Sequence, residues 1–554
     1  MKNKVIIWIA DRERIEVNQG ETLLTISRQY QERFPTSIVA AKVNHEIKDL
    51  HAGIDEDSTI QFLDLTTTEG MRVYQRSLAF VLVVAVRELY PDGEVTIEHS
   101  LSKGIYCEVY IDRELTSDDM QTIEGRMHKI VEDDRPFIKR RVTKQEAMDM
   151  FQADGQPEKV RLLGQMQRDT VSIYYCGDVY DYFYGTLAPS TGSLQLFSLA
   201  FCKPGLILRF PEKEKPDELP PLLEQPKLAQ IFREAEEWGK ALHCGYVGAL
   251  NQAVATNQID EIIRIAEALH EKKLANIADY ITENRDKVRV ILVAGPSSSG
   301  KTTFVQRLNV QLRVNGVRPL SISLDDYFLD RVLTPRDEQG NYDFESIEAL
   351  DLGLFNEHLV RLLQGETVKI PTYNFLIGQR EYRGHTLQLE PDQPVIIEGI
   401  HGLNERLTLE VPREQKIKIY VSAITQLSID NHNRIPTTDT RLIRRIVRDS
   451  QFRAHDALQT LELWPSVRRG EERNIFPFQE EADIMFNSAL IYELGILKPY
   501  AEALLNEVGQ DKPEYAEAQR LLNFLAYFHD IDGEIVPSNS ILREFLGKSC
   551  FYKD

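Results

Sequence analysis

Residues 289–303 read RVILVAGPSSSGKTT, and this stretch decides the fold of the C-terminal half of the chain. Residues 290–294 form a short apolar run, as in a buried strand, and the pattern G-x-x-x-x-G-K-[ST] follows at once. The next apolar positions, Phe304, Leu308 and Leu312, recur at helical spacing. A strand, this loop and a helix in that order are the setting in which the pattern binds phosphate groups.

The loop predicts a site for ATP and Mg²⁺. Its glycines let backbone N–H groups turn inward around phosphate oxygens, and the helix that follows adds partial positive charge at its N-terminus. Lys301 would reach the β- and γ-phosphates, and Thr302 would bind Mg²⁺. The loop alone does not separate a kinase from a GTPase or an ATPase. The predicted nucleotide-binding residues are Gly295, Ser297, Ser298, Ser299, Gly300, Lys301, Thr302 and Thr303.

From residue 288 onward, apolar strand candidates alternate with helical segments. The candidates cover residues 288–294, 320–324, 395–397 and 417–421. This alternation predicts an α/β domain with a mostly parallel sheet. Ligands of such sheets bind beyond the carboxyl ends of the strands, so the side chains that follow each strand are candidates for the site.

Acidic residues follow two of these strands. Asp325 and Asp326 come where the second strand ends, and a carboxylate there can take a proton from an acceptor hydroxyl. The same pair is equally typical of a solvated turn. Glu398 ends the third strand, at the position expected of a group that lies near Mg²⁺ or orients water.

Arginines recur at helical spacing in residues 439–449. Arg441, Arg444, Arg445 and Arg448 cover one broad face, which in most proteins is simply solvated. Here the run lacks interleaved acids, although the chain as a whole is acidic. We therefore interpret it as a lid that neutralises a phosphate group during transfer.

Taken together, these motifs resemble the uridine kinase and phosphoribulokinase family of P-loop kinases over roughly residues 288–500. The resemblance rests on their order and spacing along the chain. The matching stretches are residues 295–303, 325–328, 341–343, 371–375, 398–400, 439–449 and 482–483.

The resemblance implies a role for each matching residue. Asp325 matches the catalytic base, and Glu398 matches the acid near Mg²⁺. On the substrate side, Asp343 would hold ribose hydroxyls, Tyr373 would line the nucleoside pocket, and Arg441 would contact the substrate. Arg444 and Arg453 would be lid arginines on the phosphates, and Lys301 would complete the set of catalytic residues.

Two positions depart from the family pattern. Gly378 stands where uridine kinases carry a histidine that contacts the pyrimidine, and His455 replaces a second lid arginine. His455 is nevertheless predicted to bind the substrate. Both changes concern recognition of the nucleobase, so they do not affect the prediction of phosphate transfer. They leave undecided which nucleobase is preferred.

The N-terminal half resembles a different family, the amino-terminal part of threonyl-tRNA synthetase. Residues 1–66 resemble its ubiquitin-like TGS domain, and residues 67–210 resemble the α+β editing domain that follows. The metal-binding and hydrolytic positions of that editing site are here Arg76, Phe80, Phe183 and Leu187. These side chains supply no thiolate or imidazole, so we expect neither zinc binding nor deacylation of mischarged tRNA.

The fold class predicted for the whole chain is multidomain α/β and α+β. Residues 211–285 are expected to be a proline-rich linker with helices, and residues 286–554 a kinase domain with a helical C-terminal extension. The N-terminal half would be a docking or dimerising module, which leaves a homo-oligomer open.

Length and composition narrow the function further. The chain has 554 residues and a formal net charge of −21, which disfavours general binding of nucleic acid. It has five cysteines and no C-x-x-C pair, and its apolar run at residues 78–86 is too short to cross a bilayer. These features, with no secretory signal, predict a reduced cytoplasmic protein without a membrane span.

The predicted function is ATP-dependent transfer of the γ-phosphate to a hydroxyl of a nucleoside. Two alternatives stay open. One is a P-loop kinase for another small hydroxyl acceptor, a sugar phosphate or a polyol. The other is a non-catalytic, nucleotide-switched RNA-binding or regulatory protein, in which an acceptor base such as Asp325 would serve no purpose.

Overall fold

A computed structural model of the chain describes residues 4–10, 12–337, 340–374 and 377–552. Phe375, part of the motif at residues 371–375, lies outside these residues. The first sheet has five strands, and alternate side chains of its strand Lys4–Ile9 are buried. In sheet order the strands are Glu13–Asn18, Lys4–Ile9, Ser58–Leu63, Ala40–Val43 and Glu46–Lys48, with helix Leu23–Ser27 packed against them.

The second region is built around helix Thr68–Leu89. Residues 78–86 of this helix are buried on every side, which explains why the apolar run is continuous rather than periodic. The surrounding strands are Ser198–Cys202, Gly205–Arg209, Gly104–Tyr110 and Glu94–Leu101 in one sheet, and Ile138–Thr143, Thr170–Cys176 and Val179–Tyr182 in another. The other helices are Ser117–Glu132, Lys144–Ala153 and Pro157–Gln165.

Three helices connect this region to the C-terminal sheet: Pro226–Ala241, Val247–Ala255 and Ile259–Glu283. Pro226 opens the first of them, in the first turn, where the missing N–H of proline costs no hydrogen bond. None of the helices among the described residues is long and apolar enough to cross a membrane.

The C-terminal sheet consists of five strands whose neighbours all pair in parallel, as predicted for this domain. Its strand order is Leu320–Ser323, Val395–Glu398, Val290–Ala294, Lys416–Ser422 and Ile484–Asn487, and the last strand was not among the predicted ones. Its helices are Lys301–Val314, Leu352–Leu363, Thr437–Phe452, Ala457–Asn474, Glu493–Leu505, Tyr515–Leu525 and Arg543–Leu546. Strand Val290–Ala294, which precedes the phosphate loop, is the central strand of the sheet. The loop therefore lies between the carboxyl ends of the two neighbouring strands, Val395–Glu398 and Lys416–Ser422.

One hydrophobic core joins the two halves of the chain. It contains Phe151 and Leu162 of the second region together with Phe304, Ile443 and Phe524 of the C-terminal half. All five side chains are buried. The N-terminal half is therefore packed into the C-terminal half rather than tethered to it.

A chain of ion pairs runs across this junction. Arg72 of the long N-terminal helix pairs with Glu517 at 2.6 Å, and Arg520 pairs with Glu517 at 2.8 Å. Arg520 also pairs with Asp439 at 2.7 Å. Asp439 lies in the first turn of helix Thr437–Phe452, so the chain of ion pairs ends on the helix that carries the predicted lid arginines.

Candidate active site

The phosphate loop has the backbone shape that its sequence predicts. Ser298 and Gly300 adopt left-handed conformations, with φ of 58° and 83°. A side chain at Gly295 would overlap the carbonyl of Val421 on the neighbouring strand. Helix Lys301–Val314 begins directly after Gly300, so its first N–H groups, which have no partner within the helix, lie next to the loop.

Thr302 and Glu398 lie together where a cation would bind. The Thr302 hydroxyl donates to Glu398 Oε1 at 3.3 Å, while Glu398 Oε2 is buried and has no partner among the described residues. Burial raises the pKa of Glu398 to about 7, and nearby Lys301 opposes that shift. A hydroxyl and a carboxylate oxygen left open are hard ligands of the kind that Mg²⁺ prefers.

Several polar atoms of the loop also lack partners. Ser298 Oγ, Ser299 Oγ and Thr303 Oγ1 are buried without a hydrogen bond within the described residues. Lys301 Nζ bends back to Pro296 O at 3.1 Å, and burial lowers its pKa. Buried polar atoms without partners are rare in folded proteins, and a phosphate group would satisfy such atoms here. The residues present therefore fit ATP with Mg²⁺.

Asp325 and Asp326 have different surroundings. Asp326 accepts a hydrogen bond from the Tyr373 N–H at 3.2 Å, so it holds a neighbouring strand in place. The Asp325 side chain is exposed to solvent, and the charges acting on it come from Lys301, Arg453 and Arg448. The crowding of protein atoms raises the pKa of Asp325, and these cations oppose that shift.

Arg441 and Arg444 were predicted as substrate and lid residues, and the structure places both elsewhere. Both are buried beneath the loop, with 1% and 0% of their surface exposed. Arg441 forms a buried ion pair with Glu471, and Arg444 forms one with Glu493. The predictions of a substrate contact for Arg441 and of a lid role for Arg444 are therefore wrong, because both side chains are buried and internal carboxylates neutralise them.

Instead, these buried pairs hold the backbone of the loop. Arg441 donates to Ser297 O at 2.9 Å, and Glu471 accepts from the Ser297 N–H at 3.0 Å. Arg444 donates to Ser298 O at 3.3 Å. Three consecutive peptide groups of the loop are thus held by charge-assisted hydrogen bonds, which are stronger than neutral ones.

The remaining arginines gather around a buried carboxylate, Asp449. Arg445, Arg448 and Arg453 approach it at 3.1, 2.7 and 3.6 Å. Arg445 also donates to Ser297 Oγ at 2.8 Å, whereas about half of the Arg453 side chain is exposed. Arg448 and Arg453 are also among the positive charges that act on Asp325.

His455 lies just beyond these arginines. The backbone N–H of His455 donates to Asp449 O at 3.2 Å, so this bond does not involve the ring. Nδ1 of the ring is buried without a partner within the described part of the chain, and it could contact a substrate.

The predicted acceptor side of the site contains a second acid beside Asp343. Asp343 Oδ1 accepts from the Glu345 N–H at 3.2 Å, which closes a turn. Glu345 packs where Gly470 has no side chain, and its Oε2 is buried without a partner in the described residues. Burial raises the pKa of Glu345 to about 7, while Arg445 and Lys301 oppose the shift.

Tyr373 and Gly378 flank the same region. The Tyr373 ring packs on Phe328 with centroids 5.6 Å apart. Gly378 has φ of 69°, and a Cβ there would lie 2.7 Å from Nε of Arg331. The guanidinium of Arg331 therefore occupies the space over the position where the family pattern has a histidine.

The four positions of the editing-like site come together, but as a packed cluster. Phe80 and Phe183 lie with ring centroids 5.1 Å apart, and both are buried, as is Leu187. Arg76 donates to Thr186 O at 2.7 Å. In the described ranges, no group of three or more His, Cys, Asp or Glu side chains is placed to hold a metal ion.

The sequence model of the Phosphoribulokinase / Uridine kinase family matches residues 290–491. The N-terminal half matches threonine–tRNA ligases. The ligase of Symbiobacterium thermophilum is 32% identical over 200 residues, which are 36% of this chain and 31% of that protein. The ligase of Desulforamulus reducens is 32% identical over 213 residues, 38% and 33% of the two chains. The chain thus spans about a third of the length of these curated relatives.

Two solved structures also resemble the chain. A structure described as a possible uridine kinase of Bacillus stearothermophilus has 18% identity and a TM-score of 0.26, covering 39% of this chain and all of that one. A D-glycerate 3-kinase of Cryptococcus neoformans has 14% identity and a TM-score of 0.22, covering 46% of this chain and 88% of that one.

Sequence reasoning missed several acids around the site, among them Glu345 and Glu471. Glu471 lies 30 residues beyond its partner Arg441, in a helix that carries none of the predicted motifs. Glu345 lies two residues beyond Asp343, and this closeness to a predicted site residue was a usable signal.

Proposed function

We propose that this chain is an ATP- and Mg²⁺-dependent kinase that transfers the γ-phosphate to a primary hydroxyl of a nucleoside or a close ribosyl compound. One observation carries the proposal. Asp325 lies at the same sheet edge as the phosphate loop, within the charge field of Lys301, Arg448 and Arg453. A nucleotide switch would need the loop, but it would have no use for a carboxylate held among these cations.

Each side chain has a role in the proposed reaction. Mg²⁺ bound with ATP would supply positive charge for the phosphoryl oxygens. Thr302 would hold it directly, and Glu398 would hold it directly or through water. Asp325 accepts the proton of the acceptor hydroxyl as that oxygen forms a bond to the γ-phosphorus. The bond from the γ-phosphorus to the bridging oxygen breaks, and ADP leaves.

The positively charged side chains would position the phosphate groups and stabilise their negative charge, and they would not exchange protons with the substrate. Lys301 would neutralise the β- and γ-phosphates, and Arg448 and Arg453 would lie over the charge that spreads on the transferring group. The buried pair of Arg441 and Glu471 would keep the loop in shape before ATP arrives, so that no energy is needed to reorganise it.

A nucleoside acceptor is supported by Asp343 and Tyr373. A carboxylate can accept hydrogen bonds from two vicinal hydroxyls, so ribose should be preferred over deoxyribose. The ring of Tyr373, which packs on Phe328, would line the pocket that receives the base. With Gly378 in place of an imidazole, uridine is not necessarily the best substrate, because a pocket that has lost a base-specific donor discriminates less.

A second candidate acceptor is favoured by Arg331 and Glu345. The guanidinium over Gly378 would suit an anionic or carbonyl group, and the open oxygen of Glu345 would suit a further hydroxyl. These features support a sugar phosphate or a polyol in the same pocket, with the same phosphate chemistry.

The N-terminal half is proposed to act as a packing and docking module. Its resemblance to threonine–tRNA ligases covers the TGS-like and editing-like regions, residues 1–66 and 67–210. The packed cluster of Phe80, Phe183 and Leu187 argues against hydrolysis in this region.

The test is an acceptor screen in which ADP release from Mg²⁺-ATP is measured with the purified full chain. The acceptors are uridine, cytidine, adenosine, guanosine and inosine with their deoxy forms, then sugar phosphates and polyols. We expect turnover to require an acceptor and to favour a ribonucleoside over its deoxy form. Turnover of only a polyol or sugar phosphate would overturn the nucleoside assignment. Failure of every acceptor to raise ADP release would overturn the kinase assignment.

A further inference from the structure

The C-terminal segment, residues 533–552, reaches the phosphate loop. Glu544 Oε2 accepts a hydrogen bond from the Thr303 N–H at 3.0 Å. Thr303 lies in the first turn of helix Lys301–Val314, where N–H groups have no partner within the helix. A carboxylate of the chain itself therefore occupies one of the donors that the loop offers to phosphate oxygens.

This segment is anchored firmly. Ile541, Leu542 and Phe545 are buried in the main core, and Arg543 donates to Gly533 O at 3.0 Å. The backbone around Glu544 is thus held by packing on both sides, and within residues 540–547 only the Glu544 side chain retains partial exposure.

The segment also touches the loop itself. A Cβ at Gly300 would lie 2.6 Å from Cγ2 of Ile541, so the absence of a side chain at Gly300 lets the segment pack there. Glu544 lies within the charge field of Lys301 and Glu398, the groups assigned to phosphate and Mg²⁺. Its carboxylate therefore shares the space and the cations that a nucleotide would use.

Two anionic groups cannot share one N–H donor and the same cation without repulsion. Because the backbone is fixed, ATP would displace the Glu544 side chain by rotation rather than move the segment. We propose that Glu544 is a residue of the nucleotide site that competes with a phosphate group for the Thr303 N–H and thereby sets the affinity for ATP. This inference rests on the proposed function, since it requires that the loop bind ATP.

The experiment measures the Kd of a non-hydrolysable ATP analogue with Mg²⁺ by calorimetry, on the full chain and without an acceptor. Glu544→Ala removes both the charge and the hydrogen bond and should lower the Kd roughly tenfold. Glu544→Gln keeps the shape and should give a smaller decrease in Kd. The matched control is Glu534→Ala, since Glu534 belongs to the same segment and pairs with Lys548 at the surface. That control should leave the Kd unchanged.

The two ideas fail in different ways. Thermal unfolding first establishes that both Glu544 variants are folded. If the wild-type chain binds the analogue and both variants bind it equally well or more weakly than the wild type, the competition is overturned while the kinase proposal stands. If neither the wild type nor the Glu544 variants bind the analogue any better than Lys301→Ala does, the nucleotide site itself is wrong, and the inference falls with it.

Discussion

The phosphate loop retains the side chains that its sequence motif requires, whereas the editing-like site of the same chain has lost those of its family. At residues 295–302 every side chain that the motif needs is present, and the loop has the matching backbone shape. At the editing-like site the geometry gathers Arg76, Phe80, Phe183 and Leu187, which carry neither thiolate nor imidazole. Resemblance of fold therefore says little about chemistry until the side chains of the site are inspected.

The two regions also differ in how their polar atoms are satisfied. Around the loop, Ser298 Oγ, Ser299 Oγ and Glu398 Oε2 are buried without partners among the described residues. In the editing-like cluster, Arg76 has the carbonyl of Thr186 as its acceptor. A binding site leaves donors and acceptors open for a ligand, whereas a structural cluster closes them internally. Substitutions in the two regions should therefore have different consequences for activity and for stability.

Lys301→Ala and Thr302→Ala should each lower turnover roughly 10³-fold or more, because each removes an interaction with the transferring phosphate or its cation. Neither side chain is fully buried, so the unfolding temperature should change little. Steady-state ADP release at saturating Mg²⁺-ATP and thermal unfolding are the measurements. Near-wild-type activity in either variant would show that the site is misassigned.

Asp325→Asn should lower turnover by ~10²–10⁴-fold while the ATP analogue still binds, since the amide cannot accept the acceptor proton. Asp326→Asn is the matched control. It keeps an oxygen that can accept from the Tyr373 N–H, so it should affect mainly the KM of the acceptor. A larger loss of kcat at Asp326 than at Asp325 would reverse the assignment of the base.

Phe80→Ala should destabilise the chain by about 3–5 kcal/mol, as expected when a buried aromatic ring is removed. The ring is 0% exposed and lies between Phe137 and Phe183. Urea unfolding measures the loss, and Ile138→Ala, at a side chain that is 46% exposed, is the control.

ADP release per folded molecule should persist in Phe80→Ala, because the cluster serves packing. Stoichiometric zinc in the wild-type chain, or deacylation of mischarged tRNA by it, would contradict a purely structural role for this region.

A structural feature can be predicted from the sequence when the residues that form it are close together in the chain. The phosphate loop and its strand and helix are adjacent in the chain, so one window of residues was enough to predict them. The role of Arg441 was missed because its partner Glu471 lies 30 residues away, and that of Arg444 because Glu493 lies 49 residues away. A run of arginines has the same pattern whether it faces solvent or buried acids, and only the fold distinguishes the two.

Buried acids occur in both halves, so burial alone does not mark an active site. Glu236 lies on helix Pro226–Ala241 and faces His99 at 3.6 Å, beside Glu98. Burial raises the pKa of Glu236 to about 7, as it does that of Glu98, and burial lowers the pKa of His99 to about 3. The other charged groups that act on Glu236 are Glu108, Lys240, Arg233 and Glu237.

The sign of the resulting pH dependence follows from linkage. The folded chain keeps a proton on Glu236 up to about pH 7, whereas the unfolded chain loses it near the ordinary pKa of 4.5. The contribution of Glu236 to stability is thus present below about pH 4.5 and is lost as the pH rises through 7. His99 acts in the opposite direction, losing stability as the pH falls from 6.5 towards 3, but it is common to the wild type and any Glu236 variant.

Glu236→Gln replaces the carboxyl group by a neutral group of the same size, so it should match the wild type at pH 5 and exceed it in stability at pH 8. The expected gain at pH 8 is on the order of 1–3 kcal/mol, smaller than the other effects because this side chain keeps a quarter of its surface in solvent. Urea unfolding of both proteins at the two pH values measures the effect, which includes the change that loss of the Glu236 charge makes to the pKa of the neighbouring Glu98. A gain of equal size at pH 5 would mean that packing, rather than ionisation, distinguishes the variant. At each pH value, Glu236→Gln should release ADP at the same rate as the wild type. That result would distinguish Glu236, as a structural acid, from Glu398 and Asp325 at the phosphate loop.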